Sequence, residues 1–420
     1  MRIVIHNFGP IKEADIETKR YTVFIGQTST GKSVAAKLIS IANDLDFLML
    51  KEGDFNGFVM LLARYCIDFA FHADTKIQFF NEHASCIIQK GIVHIDVKAK
   101  SPLQTFRLME IENTEAYNNN FRDIFDDFQY KSVDDIVAKI GGRSFDTELA
   151  QTLKRRETID FTKLSDYQRK LLYLTYREAF LAVNNPVYIP AERILISIFT
   201  HSIFSLLQSG TAIPESIKRF GSLYENAKSK IKQFDIDFMN ISVNFSKEQD
   251  TIHIGEDNVD IVFSQASSGM QSIIPMWSVF CNALNELRSH IVIEEPELNL
   301  FPSLQVALIT RMVELLNSTK SSLVVTTHSP YILSVFDNLI YAKDVYDRAD
   351  NAHKEKVAAL VKTDSMIAYE DVAAYSFNDN GIITYINDEE TRSTGAYALD
   401  AASTETANVF NELLAIDNEL

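Results

Sequence analysis

Four short stretches carry residues whose types and spacing suit phosphate chemistry. The first is "GQTSTGKS", Gly26 to Ser33: a glycine, four residues, then Gly-Lys-Ser. Backbone N–H groups of such a turn converge on phosphate oxygens, and a following helix adds its positive end. Gly26 and Gly31 let the backbone fold tightly, with Gln27, Thr28, Ser29 and Thr30 between them. Lys32 would then reach the β- and γ-phosphates, and the Ser33 hydroxyl would ligate Mg2+. The second is "IVIEEPELNLFP", an apolar run ending in two carboxylates. Glu294 at the strand tip is placed to hold Mg2+, and Glu295 to polarise an attacking water. The plainer reading of that stretch is an acidic strand end closed by Pro296. The third is "VVTTHSPYIL", which delivers His328 to the C-terminal end of an apolar strand, where ligands sit in open α/β sheets. There it would hydrogen-bond a γ-phosphate, although a lone histidine is commonly structural. The fourth is "ASSGMQS", small residues ahead of a helix. Its Ser268 and Gly269 either present a hydroxyl and N–H groups to a phosphate or simply cap the helix.

These stretches need elements to hold them. Residues 2–7 and 21–25 alternate as strands, "FGPIK" turns between the first strand and a short one at 14–17, and the glycine-rich loop follows a strand directly. Val34, Leu38, Ile41, Leu45 and Leu48 recur at helical steps, so one helix is expected to open after the loop. "KIQFF", "SCIIQ", "IVHIDVKA" and "TFRLMEIE" read as antiparallel strands with a turn at "KG". Residues 113–185 read as mainly helical, with charged faces and no sustained heptads. "PVYIPAERI" gives a buried strand and a polar loop, and helices are expected over 195–234. "NISVNFS", "TIHIG" and "VDIVFS" are short strands. A helix over 270–287 then leads into "HIVIEE", another helix follows Pro302, and "SLVVTTH" is a strand. Strands alternating with helices imply parallel α/β packing. The tail reads as a hairpin turning at Asn380-Gly381, then a helix.

Composition narrows the classes. A chain of 420 residues with 46% hydrophobic content supports two or three lobes with a sizeable core. A formal net charge of -17 excludes general coating of nucleic acid, so any DNA or RNA contact requires a local basic patch. The N-terminus lacks an apolar signal core and no run of about 18 apolar residues exists, so a cytoplasmic protein away from membranes is expected. Cys66, Cys86 and Cys281 lie far apart without CxxC spacing and read as reduced core thiols.

Taken in this order, the four stretches resemble the ABC-type ATPase heads of the RecF, OLD and SMC kind. Gly26 to Ser33 match Walker A. "SSGMQ" matches the LSGGQ-like signature, with Met270 at the second glycine's place and Gln271 at its glutamine. Glu294 and Glu295 match Walker B and the catalytic glutamate, with Glu in place of the usual Walker B Asp, and His328 matches the switch histidine. The resemblance implies a P-loop ABC-type ATPase head: an α/β fold with a mixed central sheet, an antiparallel β-subdomain and a mainly helical insertion. The halves of the head would be residues 1–112 and 236–420, with the insertion at 113–235. It further implies ATP and Mg2+ as cofactors and a homodimer, or a higher oligomer, that sandwiches ATP, each site completed by the partner copy's signature. "YIPAERI" resembles a segment of stand-alone defence ATPases near the nucleotide, where Arg193 contacts phosphate or a partner, or is a surface arginine.

Several activities fit less well. Transporter heads lack so large a middle insertion, and an SMC tether needs a long coiled coil. An OLD-type nuclease needs a TOPRIM domain, but fewer than 100 residues follow His328, with no DxD-type cluster. The remaining expectation is an ATPase resembling those of the Septu, retron-associated and PARIS antiphage systems, acting with a separate nuclease or toxin. The alternative is a RecF-like repair clamp on DNA. A nucleotide-binding regulator with little turnover is a third reading, disfavoured by Glu295.

Overall fold

A computed structural model of the protein describes residues 1–98, 185–199, 213–246, 249–255 and 259–395. The strand expected at 105–112, the helical run expected over 113–184 and the expected terminal helix lie outside the described residues.

Alternating apolar residues in the first hundred positions build one antiparallel sheet. Strands β1 (Arg2–Phe8) and β2 (Ile11–Glu17) form a hairpin, joined by β4 (Lys76–Phe80), β5 (Ala84–Gln89) and β6 (Ile92–Val97) in the order β2-β1-β4-β5-β6. The turn between β5 and β6 falls at Lys90-Gly91, as the sequence suggests.

The second sheet positions the site. It contains β3 (Tyr21–Gly26), β7 (Asn185–Ile189), β12 (Ser289–Glu294), β13 (Ser322–Thr327), β14 (Val372–Phe377) and β15 (Ile383–Tyr385), ordered β15-β14-β3-β13-β12-β7. All pairings are parallel except β14 with β15, so the sheet is mixed. Its register aligns the strand ends: Thr326 lies beside Glu294 on one side and Phe24 on the other, while Ile293 lies beside Ile189. Hence the loops after β3, β7, β12 and β13 all leave from one edge. Strand β7 belongs to this sheet although it falls within 113–235.

Both sheet faces are covered, and alternate residues enter two cores. Phe24, Val292, Val324 and Ala373 pack with the antiparallel sheet and α1 (Lys32–Asn43). Val23, Ile293, Val325 and Ala374 pack with α6 (Ser268–Leu284), α7 (Pro302–Asn317) and α8 (Pro330–Arg348). Among the described residues the other α-helices are α2 (Leu45–Leu48), α3 (Phe55–Arg64), α4 (Leu195–Phe199), α5 (Glu215–Lys230) and α9 (Asn351–Leu360). A third sheet, β11-β10-β9-β8, comprises β8 (Gln233–Ile236), β9 (Ile241–Asn244), β10 (Thr251–Ile254) and β11 (Val259–Val262).

Three expectations are corrected. The single helix after the glycine-rich loop is two, because Asp44 is extended. Its carboxylate accepts the Asp46 N–H at 3.0 Å, starting α2, and pairs with Arg219 at 2.6 Å. The helix expected up to 234 ends at Lys230, since Phe234 and Ile236 pair with Val243 and Ile241 as a strand. Among the three free cysteines only Cys86 is buried; Cys66 is exposed and Cys281 intermediate. The tail hairpin forms as expected across 378–382.

The loop entrance is sterically fixed. A Cβ on Gly26 would lie 2.2 Å from the Phe377 carbonyl oxygen on the neighbouring strand. Gly26→Ala is therefore expected to lower stability by about 1–3 kcal/mol, the usual range for overpacking. Urea unfolding of the two proteins measures this, and equal midpoints would contradict it.

Candidate functional site

The glycine-rich loop joins β3 to α1 at the aligned edge. Ser29 (φ 66°) and Gly31 (φ 101°) both take left-handed backbone, curling the segment between them. A Cβ on Gly31 would meet Ile11 at 2.7 Å, so the loop leaves no room there for a side chain. Gln27, Thr28 and Ser29 are exposed, whereas Thr30 and Lys32 are buried. The Thr30 hydroxyl donates to the Gln27 carbonyl at 2.9 Å. Lys32 Nζ donates to the Gly26 and Gln27 carbonyls at 2.8 and 2.5 Å, so the ammonium folds back over its own loop. Burial pulls its pKa down to about 8, while Glu295, Glu297 and Glu294 act in the opposite direction.

Glu294 ends β12 and is 3% exposed. Burial raises its pKa, against the lowering influence of Lys37 and of the neighbouring Tyr188 and Ser33 hydroxyls. Its Oε1 is buried and makes no hydrogen bond. Ser33 and Glu294, from distant parts of the chain, thus stand side by side with one carboxylate oxygen unsatisfied. Burying such an oxygen is unfavourable unless something satisfies it. A hard divalent cation suits that donor set. Among the described residues no group of three or more His, Cys, Asp or Glu side chains could hold a metal. Mg2+ takes one or two protein oxygens and leaves its other positions to water and phosphate, and Ser33 and Glu294 could supply that number.

Glu295 follows with φ 43°, a left-handed conformation that costs a non-glycine residue about 1–3 kcal/mol. Its N–H donates to the Thr326 carbonyl at 2.9 Å, and its Oε1 lies 3.3 Å from His328 Nε2. The two residues expected to act on water and γ-phosphate are therefore neighbours.

Arg193 is not a surface residue, which corrects one of its expected alternatives. It is fully buried, and its donors go to the carbonyls of Ser272, Pro190, Glu294 and Glu295. Burial lowers its pKa to about 10, with Glu297, Glu295 and Glu294 opposing.

The signature stretch stands apart. Ser267 caps α6, its hydroxyl accepting the Met270 N–H at 3.4 Å. Ser268 is exposed at the first turn. Gly269 is buried, and a Cβ there would lie 2.9 Å from the Asn299 carbonyl oxygen. The Gln271 amide is bound within its own chain, donating to the Ser264 and Ala266 carbonyls and accepting from the Ser197 hydroxyl. Among the described residues no hydrogen bond joins Ser268, Gly269 or Gln271 to Gly26–Ser33.

A further acidic residue not expected from the sequence joins the site. Glu297 accepts from the Thr327 hydroxyl and from the His328 N–H through one carboxylate oxygen. Its other oxygen is buried without a partner, and burial raises its pKa. It locks the turn after β12 to the end of β13. The only signal for it is a third acidic residue two positions beyond the pair.

Residues 1–333 match the family model described as "AAA ATPase domain", AAA_15. The chain belongs to this AAA ATPase domain family. No curated protein matches it. Among solved structures, this AAA ATPase domain protein is similar to the SMC head domain from Thermotoga maritima, with 10% identity and a TM-score of 0.37, covering 92% of this chain and 98% of that one. It is also similar to an Smc head bound to the C-winged helix domain of ScpA, with 10% identity and a TM-score of 0.39, covering 92% and 96%. A third likeness is to an Smc head with an extended coiled coil bound to the C-terminal domain of ScpA, derived from Pyrococcus furiosus. It has 9% identity and a TM-score of 0.36, covering 92% and 95%. No helix of the described residues is long and apolar enough to cross a membrane.

Burial of the Lys32 ammonium makes stability depend on pH. Below about pH 8 the folded and unfolded chains both carry this proton, and the full penalty of burying the charge is present. As pH rises from about 8 towards 10.5, the folded protein releases it first, so the unfolded chain binds more protons and stability increases. Lys32→Met should lack this component. Subtracting the pH dependence of its unfolding free energy from that of the wild type isolates it; a flat difference across that window would contradict the assignment.

Proposed function

We propose that the chain is an ATP-hydrolysing, ABC-type head that closes on a second copy around ATP. In this reading it transmits the change to a separate effector, a nuclease or toxin, in bacterial antiphage defence. One observation carries the ATPase part. Lys32, the Ser33–Glu294 pair and the Glu295–His328 pair gather at one sheet edge from three separate strand ends.

The roles follow from the chemistry. Lys32 exchanges its loop carbonyls for phosphate oxygens, joined by backbone N–H groups of residues 27–31 and the start of α1. Ser33 and Glu294 hold Mg2+, which when bound neutralises phosphate charge. Glu295 orients and polarises water, and His328 holds Glu295 and meets the γ-phosphate. Exposed Ser268 at a helix start, unbonded to its own loop, suits contact with a nucleotide on another copy. Phe301 and Tyr331, 73% and 50% exposed, follow Glu297 and His328 in sequence and give that contact apolar surface. The effector role rests on the resemblance of the motif set to stand-alone defence ATPases. The net charge of -17 weighs against the alternative, a RecF-like clamp on DNA.

Lys32→Ala is expected to abolish ATP binding. Glu295→Gln is expected to keep binding, lose roughly 10²- to 10⁴-fold in turnover and accumulate as an ATP-bound assembly. Nucleotide titration, phosphate release and size-exclusion chromatography read these outcomes, and equal turnover in wild type and Glu295→Gln would remove the proposed role. Purification of the native complex separates the biological readings. A co-purifying nuclease or toxin supports effector control, whereas ATP-dependent binding of duplex DNA by the chain alone supports the clamp.

A further inference from the structure

Arg193 grips the site without facing it. Its Nε donates to the Ser272 carbonyl in α6 at 3.2 Å. One terminal nitrogen donates to the Pro190 and Glu294 carbonyls at 3.2 and 2.7 Å, and the other to the Glu295 carbonyl at 2.6 Å. No carboxylate oxygen is among these acceptors. A guanidinium taken wholly out of water is retained only where its donors are well satisfied, and charged donors make the stronger hydrogen bonds. Here two of its acceptors are consecutive carbonyls, those of Glu294 and Glu295. Their convergence on one group fixes the peptide that turns left-handed at Glu295 (φ 43°). That turn sends the Glu295 carboxylate to His328. The third grip, on Ser272, lies one turn into the helix that begins at Ser268. Ser197, one turn beyond Arg193, adds a parallel tie to Gln271 on the same helix at 3.0 Å.

We infer that Arg193 is a positioning residue for hydrolysis. It holds Glu295 in its left-handed turn and mechanically joins that turn to the signature helix. A shift of α6, such as a second copy's nucleotide would impose at Ser268, is thereby passed to the carboxylate that handles water. This inference rests on the ATPase reading above and concerns how the same site is regulated. It requires Arg193 to affect turnover more than nucleotide affinity, because Lys32 and Ser33 lie on another element.

The lone tryptophan, Trp277, lies on α6 five residues after Ser272 and provides a signal independent of turnover. The experiment compares full-length wild type, Arg193→Lys, Arg193→Ala and Glu295→Gln. Arg193→Lys retains a cation but has one nitrogen to offer. It is expected to bind a non-hydrolysable ATP analogue within about threefold of wild type while turnover falls roughly 10- to 100-fold, the scale of a small misplacement of a catalytic group. The analogue should shift Trp277 emission in wild type and Glu295→Gln but much less in Arg193→Lys. Added ethylguanidinium should restore part of the turnover of Arg193→Ala and none in Glu295→Gln. Equal losses of affinity and turnover in folded Arg193→Lys, or turnover within about threefold of wild type, would overturn the inference. If neither Arg193 variant folds, wild-type emission decides: a Trp277 signal indifferent to the analogue overturns it, and a response supports it. Absence of wild-type hydrolysis removes the ATPase reading together with this one. Turnover lost in Glu295→Gln but kept in Arg193→Lys removes only the inference.

Discussion

Along the sheet edge where β3, β7 and β12 end, three glutamates and two buried cations depend on one another. Desolvation pushes Lys32 and Arg193 towards the neutral form and Glu294 and Glu297 likewise, while the opposite charges nearby act against it for both cations. Neither sign is tolerable there alone, because isolated ions in a poorly solvated interior carry a large penalty. The sheet register makes the balance available by ending β3, β12 and β13 side by side. A strand slipped by one residue would face Glu294 the other way and leave Lys32 with fewer compensating charges.

Two of the carboxylates keep an oxygen buried and unbonded. A molecule optimised only for stability has little use for such atoms, and sites that act on charge commonly retain them. The left-handed Glu295 belongs to the same pattern. Its backbone conformation is unfavourable in isolation and persists because the Thr326 carbonyl, His328 and Arg193 each fix part of it.

The sequence made much of this legible. The central strands announced themselves because each is a short apolar run bounded by polar residues, and the loop because glycine, lysine and serine recur at a spacing few other structures require. Asp44 hid a helix break, since the apolar steps on either side continue through it. Gln233–Ile236 hid a strand because its partner lies across a turn and its alternation is only two residues deep. Arg193 was visible as a cation but not as a buried one, because burial comes from β7 joining β12, a contact between residues about a hundred positions apart. Glu297 is not legible as a site residue, since the donors to its carboxylate, Thr327 and His328, arrive from the end of the next strand.

Arg193 donates its hydrogen bonds only to main-chain oxygen. Every residue type offers that oxygen in the same place, so its hold does not depend on the side chains at Pro190, Ser272, Glu294 or Glu295. A link of this sort leaves little trace in paired changes between related sequences. Comparison of related sequences would by itself give no hint of what the arginine grasps.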